Sequence, residues 1–78
     1  MKLSDLPLHS AAIVVDVADL SADDRVGRRL RELGFVVDEP VKVVAKGPFG
    51  AEPLLIQIGF TRFALRRAEA DRVQVRTA

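Results

Sequence analysis

The stretch VKVVAKGPFGAEPLLIQIGFTRFALR, residues 41–66, decides the fold of this chain. It contains three short runs of β-branched and large apolar residues, and segments rich in glycine and proline separate them. Such runs are typical of β-strands, and the segments between them are typical of turns. The predicted strands are residues 41–46, 54–58 and 63–66, separated by a loop over residues 47–53 and a hairpin turn over residues 59–62.

Two further strands flank this region. Residues 11–18 are rich in β-branched side chains, and Val15 and Val17 alternate with Asp16. This alternation predicts a first strand with one buried face. Residues 73–75 alternate valine with glutamine and predict the last strand, and residues 67–71 before it predict a helical turn.

One helix is predicted between the first two strands. Ser21 and Asp24 have the spacing of a capping box, which predicts the start of the helix, and Gly34 is expected to end it in the left-handed conformation. Gly27 inside the helix costs about 1 kcal/mol relative to alanine, and Asp24 and Arg28 have the spacing of an ion pair. The expected buried stripe consists of Val26, Leu30 and Leu33, with Phe35 folded back on it.

These elements predict a mainly β protein, a small five-stranded barrel with one α-helix after the first strand and a short helical turn before the last. The 78 residues allow a single domain, residues 1–78. Closing the sheet into a barrel would remove the edges that so short a sheet otherwise exposes.

The composition narrows the function. The chain has no cysteine, tyrosine or tryptophan and only one histidine, and it contains no phosphate-binding glycine loop. Because no acid–base or nucleophilic set is assembled, we predict that the protein is not an enzyme. The net charge of +1 argues against nucleic-acid binding. The absence of a long apolar run and of a signal-like N-terminus predicts a cytosolic protein.

Exposed arginines on the predicted helix are candidates for partner binding. They form either a docking face for an acidic partner or a solvated face that is balanced by nearby carboxylates, and both interpretations remain open. The arginines concerned are Arg25, Arg28, Arg29 and Arg31.

The four phenylalanines fall into two groups. Phe49 lies in the middle of the predicted loop, where it either tucks over the barrel mouth or contacts a partner, and Phe60 in the hairpin turn poses the same question. Phe35 and Phe63 are expected in the core.

His9 is the one candidate nitrogen ligand for a metal. With carboxylates such as Asp5 or Glu52 it could hold a divalent ion weakly, and the alternative is an exposed histidine in a turn. No tightly bound cofactor is expected.

The run RRLRELGF, residues 28–35, resembles the R-x-L-x-E-L-G segment of the ferrous iron transport protein A (FeoA) family, which also occurs in the C-terminal SH3-like domain of iron-dependent repressors. The order of the later segments is also similar over nearly the whole chain. These segments are VKV at 41–43, Pro48, EP at 52–53, Gly59, ALR at 64–66, EA at 69–70 and VQV at 73–75. The chain departs from the family at two positions, because the family usually has glycine near His9 and near Asp38, and neither histidine nor aspartate adopts a positive φ as freely as glycine. The two turns are therefore expected to differ in detail from those of the family.

The resemblance implies an SH3-like barrel that is an accessory of bacterial ferrous iron uptake. Its implied partner is the membrane transporter FeoB, through the transporter's cytosolic GTP-binding domain, so contact with the membrane is only indirect. We expect Phe49 and Phe60 to contact the partner while Arg28, Arg29 and Arg31 orient its approach. The alternative is a metal-responsive regulator that binds Fe²⁺ through His9 and controls weak homodimer formation.

Overall fold

A computed structural model describes residues 1–50 and 52–78. The elements follow a 3₁₀ turn at Leu3–Asp5 and are β1 (Ala11–Val17), α1 (Arg25–Leu33), β2 (Pro40–Phe49), β3 (Glu52–Ile58), β4 (Thr61–Leu65), α2 (Arg67–Ala70) and β5 (Val73–Thr77). The five strands form one antiparallel sheet in the order β4-β3-β2-β1-β5. The mainly β prediction, with its helix after the first strand and its helical turn before the last, is confirmed.

The two ends of the sheet are β4 and β5. Helix α2 connects β4 to β5 along the chain and contacts β3. The gap between the two edge strands is therefore spanned by a helical turn and not by hydrogen bonds between strands. Within the described residues, the predicted closure therefore does not pair these two edges with each other. The N-terminal segment covers part of the β5 edge instead, since Val75 N donates to Met1 O at 2.8 Å.

The core receives side chains from every strand and from α1. Phe35 is fully buried, as predicted, and Phe63 is half-buried and packs against the core. The predicted stripe of α1 is also confirmed, because Leu30 is buried while Val26 and Leu33 pack against the same cluster. Burial of these side chains stabilises the fold by about 1.5–3 kcal/mol for each large one.

A β-bulge changes the alternation of β1. The pairing with β5 runs from Val14 opposite Val75 directly to Asp16 opposite Gln74, so Val15 is an extra residue. As a result Val14 and Val17 are buried while Val15 and Asp16 are both exposed. The predicted shared face of Val15 and Val17 is therefore wrong, because one extra residue reverses the direction of every side chain that follows.

The predicted loop over residues 47–53 is also wrong. β2 continues to Phe49, which pairs with Glu52 at the start of β3, and the register is irregular between Lys46 and Phe49. A Cβ at Gly47 would overlap the carbonyl of Glu52, so this glycine permits a close approach of two backbones instead of breaking the strand. Ala51, within that predicted loop, lies outside the described residues.

Helix α1 begins later than predicted. Asp24, not Ser21, is its N-cap, and Asp24 Oδ1 accepts hydrogen bonds from Val26 N at 3.0 Å and Gly27 N at 3.1 Å. The same carboxylate binds Arg72, so it is not available for the predicted pair with Arg28. A carboxylate is the stronger acceptor for the positive end of a helix, which explains why Asp24 takes the capping position.

The predicted left-handed conformation of Gly34 is confirmed, since it ends α1 with φ 116°. His9 and Asp38, where the family usually has glycine, also adopt positive φ values, 69° and 71°. The β3–β4 hairpin turn is shorter than predicted, with only Gly59 and Phe60 between the strands. Positive φ at the first of two turn residues, 58° at Gly59, is typical of a type II′ turn.

Candidate docking surface

Phe49 lies at the tip of the β2–β3 hairpin with 82% of its surface exposed. Its strand partner Glu52 fixes this tip, because Glu52 Oε1 accepts a hydrogen bond of 2.6 Å from Arg67 N at the start of α2. An apolar side chain is therefore held in solvent on a backbone that is tied to a neighbouring element. Of the two interpretations of Phe49, the structure shows the exposed one.

Helix α2 connects the Phe49 tip to α1. Glu69 Oε1 accepts from Arg66 N at 2.9 Å and so caps α2, while Glu69 Oε2 accepts from Arg29 Nη1 at 3.2 Å. The side chain of Glu69 is 18% exposed and that of Arg29 is 61% exposed. We call the surface formed by Phe49, α2 and Arg29 the Phe49 surface.

The other two predicted arginines lie elsewhere on α1. Residues two positions apart are separated by about 200° around a helix, so Arg29 and Arg31 lie on opposite sides. Arg31 binds Asp19 through two hydrogen bonds of 3.0 and 2.8 Å, and Arg31 Nη2 also donates to Val17 O at 3.0 Å. Arg28 forms an exposed pair with Asp23. The three arginines therefore do not form one docking face.

The hydrogen-bonded ion pair of Arg31 and Asp19 shifts the pKa of both side chains. The hydrogen bond to Arg31 lowers the pKa of Asp19, with smaller contributions from the charges of nearby arginines. The same bond raises the pKa of Arg31. Gly27 lies beside this pair, and a Cβ there would overlap Asp19, so the glycine leaves room for the carboxylate.

Phe60 lies at the opposite end of β3 from Phe49. At about 3.3 Å per residue, β3 separates the two tips by about 20 Å. The Phe60 side chain is fully exposed on its two-residue turn. The two phenylalanines that the sequence suggested as partner contacts are therefore not brought together.

His9 is exposed in a left-handed turn, where its backbone N donates to Val43 O at 2.7 Å. Within residues 1–50 and 52–78, no group of three histidine, cysteine, aspartate or glutamate residues is arranged to hold a metal ion. In the same two ranges, no helix is long and apolar enough to cross a membrane.

Sequence reasoning missed the residues that organise the Phe49 surface, which are Glu52, Arg67 and Glu69. A signal for one of them existed, since Arg66 and Glu69 have the spacing at which an N3 glutamate caps a short helix. The local pattern also does not predict that Val36 and Val37 are exposed, with 46% and 62% of their surfaces accessible.

A five-stranded antiparallel sheet with a helix after β1 and a helical turn before β5 defines a small SH3-like domain, whose exposed features lie on hairpin tips and helices. The FeoA domain model matches residues 1–77, and the chain therefore belongs to the FeoA family, which is associated with ferrous iron transport. The resemblance drawn from residues 28–35 and the segments after them is confirmed.

Solved structures agree with this assignment. Stenotrophomonas maltophilia FeoA, crystallised in complex with zinc and described as a prokaryotic SH3 domain protein, is 64% identical to the chain with a TM-score of 0.89, over 97% of this chain and 89% of that one. FeoA from Chlorobium tepidum is 34% identical with a TM-score of 0.84, over 99% of this chain and 70% of that one.

A manganese-dependent transcriptional repressor shares the fold, with a TM-score of 0.84 at 20% identity, over 100% of this chain and 41% of the repressor. No curated protein matches the sequence.

Proposed function

We propose that the protein is a non-enzymatic cytosolic accessory of ferrous iron uptake that docks on the GTP-binding domain of a FeoB-type transporter through the Phe49 surface. Docking tunes the assembly or the GTP turnover of the transporter. The observation that carries the proposal is the side chain of Phe49, 82% exposed on a tip that is fixed to α2.

The Phe49 surface has the composition of a protein interface. A few aromatic and arginine side chains supply most of the binding energy in such interfaces, and this surface places one phenylalanine beside exposed Arg66 and Arg67 of the α2 region. The strand pair that carries Phe49 is tied to α2 through Glu52, which reduces the conformational entropy that its backbone loses on binding.

Its charge indicates the kind of partner surface. Arg29, Arg66 and Arg67 outnumber the carboxylates Glu52 and Glu69, so a site that combines an apolar pocket with acidic residues would be complementary. Arg28 lies on a neighbouring face of α1, where its pair with Asp23 offsets its charge, so the positive charge that orients the partner's approach comes mainly from exposed Arg66 and Arg67.

The test is a calorimetric titration of the protein against the purified GTP-binding domain of the transporter encoded in the same genome. Phe49→Ala removes the apolar contact, and we expect its affinity to fall at least tenfold, a loss of about 1.4 kcal/mol or more. Phe60→Ala is the matched control, because Phe60 is equally apolar and exposed at the other end of β3. Its affinity is expected to remain within twofold of the wild type.

Thermal unfolding separates binding from folding. Both phenylalanines are exposed, so neither substitution should lower the melting temperature by more than about 2 °C. A large drop for Phe49→Ala, or equal losses of affinity in the two variants, would contradict the proposal.

The metal-responsive alternative has its own measurement. Anaerobic titration of the wild type with Fe²⁺ is expected to give no saturable heat at micromolar concentrations. Saturable binding at one ion per chain that His9→Ala abolishes would instead support the regulator.

A further inference from the structure

A concave surface lies away from the Phe49 surface, between the end of β1 and the segment that follows α1. It is an open groove of about 170 Å³, lined by Asp16, Val17, Arg31, Phe35, Val36 and Val37. We call it the valine groove, after the two exposed valines on its wall. The proposed contact with the transporter does not use it.

The backbone explains why the groove is open and apolar. The bulge at Val15 turns Asp16 outward, so an aspartate lies on the wall where strict alternation would place a core residue. On the other wall, Phe35 enters the core and anchors the chain, while Asp38 N donates to Val14 O at 2.8 Å. Val36 and Val37 are held between these two attachments, and both remain about half exposed.

The charges around the groove leave a negative excess. Arg31 is the one cation on its wall, and its guanidinium is already bound to Asp19 and to the carbonyl of Val17. The carboxylate of Asp16 lines the groove without an ion-pair partner among the described residues, and Asp38 follows Val37 directly with its side chain also exposed. An incoming group therefore meets the carboxylate of Asp16 and a cation, Arg31, that is already bound to Asp19.

The size of the groove limits what it can hold. A cavity of about 150 Å³ accommodates one benzene molecule, so a groove of about 170 Å³ suits a single leucine or phenylalanine side chain.

We propose that the valine groove is a second docking site, which takes one apolar side chain of a cationic peptide segment of another protein. The apolar side chain packs against Val36 and Val37, and a lysine or arginine beside it pairs with Asp16. The two docking surfaces of the protein then have opposite charge preferences, so that one chain can hold an acidic surface and a basic segment at the same time.

The experiment uses nitrogen-15-labelled protein and a synthetic peptide probe of about eleven residues, with a central leucine flanked by lysines and arginines. Amide chemical shifts are followed during titration at low salt. We expect saturable shifts at Val17, Val36 and Val37, with a dissociation constant in the millimolar range or below. The amides of Phe49 and α2 should not move.

Two variants test the two parts of the site. Val37→Ser removes apolar contact and should weaken the peptide roughly tenfold. Leu20→Ser is its matched control, because Leu20 is 79% exposed outside the groove, and its affinity should be unchanged. Asp16→Asn should weaken the peptide about two- to fivefold and reduce the salt dependence.

Three outcomes would overturn the proposal. A probe with glutamates in place of the basic residues that binds equally well would show that charge does not select the occupant. Shifts that map to the Phe49 surface would place the binding there. Concentration-dependent shifts of Val36 and Val37 without peptide would identify a second copy of this chain as the occupant. None of these readouts involves the transporter, so they are independent of the proposed function.

Discussion

Two phenylalanines stand at the two ends of β3, and their surroundings differ. Phe49 lies on a hairpin tip that is bound to α2 through Glu52, and α2 is bound in turn to α1 through the Arg29–Glu69 pair. Phe60 lies on a two-residue turn, and the side-chain hydrogen bond found at this turn comes from Gln57 of β3 itself, whose Nε2 donates to Gly59 O at 3.3 Å. Exposure alone does not distinguish the two residues. What distinguishes them is that Phe49 belongs to a surface assembled from three elements, whereas Phe60 stands alone.

We expect the stability of the Phe49 surface to depend on the contacts that hold α1 in place. Asp24→Ala removes the N-cap of α1 and leaves Arg72 without its carboxylate, in a pair whose side chains are 8% and 12% exposed. We expect a loss of about 3 kcal/mol in the free energy of unfolding, measured by urea titration. For a domain of this size, that is a large part of the total stability.

Asp23→Ala is the matched control for this prediction. Asp23 is the adjacent aspartate, and its pair with Arg28 is exposed, so the loss should be below about 0.5 kcal/mol. Hydrogen exchange should show that Asp24→Ala reduces the protection of α1 more than that of the β3–β4 hairpin. Equal losses of stability in the two variants would show that the buried pair does not anchor α1.

A second prediction uses two glycines to separate the roles of the tips. Gly50 and Gly59 have φ values of 63° and 58°, and in both cases the space around an added Cβ is empty. Gly50→Ala and Gly59→Ala should therefore each lower stability by about 1–2 kcal/mol through backbone strain. Only Gly50→Ala, next to Phe49, should also weaken binding to the transporter domain, measured by calorimetry. An equal effect of both substitutions on binding would remove the distinction between the two tips.

The smallest expected effect concerns Arg31. This residue forms a structural ion pair with Asp19 and lines the valine groove, and it is not part of the Phe49 surface. Because the pKa of Asp19 is lowered in the folded protein, its charge stabilises the fold above the ordinary aspartate pKa of 3.8. That contribution is lost as the pH falls through the lowered value. In Arg31→Gln the pKa of Asp19 should rise toward its ordinary value, as followed by carbon-13 shifts of the carboxyl group.

Arg28→Gln provides the graded control, since Arg28 lowers the pKa of Asp19 only through its charge at a distance. A smaller upward change is expected there. If Arg28→Gln moved the titration of Asp19 more than Arg31→Gln did, the hydrogen-bonded pair would not be the main cause of the lowered pKa.

The sequence was sufficient for the parts of the fold that depend on local pattern. The alternation of Val41 and Val43 with Lys42, and of Val73 with Val75, predicted strands whose valines are buried in the structure. The start of α1, the bulge at Val15 and the length of β2 were not predictable in this way. The first two depend on contacts with a distant part of the chain, Arg72 for Asp24 and β5 for Val15. The length of β2 depends on the close approach of Gly47 to Glu52 across the hairpin, which the local pattern does not encode.

The candidate site was predictable only as a list of residue types. Phe49 was identified, but its exposure depends on the continuation of β2 through Gly47 and Pro48, which the local pattern places in a loop. The arginines of α1 have partners that lie 40 residues away for Arg29 and 12 residues away for Arg31. Sequence spacing within the helix carries no information about those partners, so it could not divide the arginines between two surfaces.

The bulge at Val15 has a consequence for how this strand tolerates change. Before the bulge the side chains that point into the core have even residue numbers, up to Val14. After it the inward side chain is at an odd number, Val17. Deleting Val15 would leave Val14, Asp16 and Val17 opposite the same partners in β5, with both valines inward and the aspartate outward. The segment should therefore tolerate the loss of one residue at the bulge better than the gain of one, which would turn Val17 away from the core.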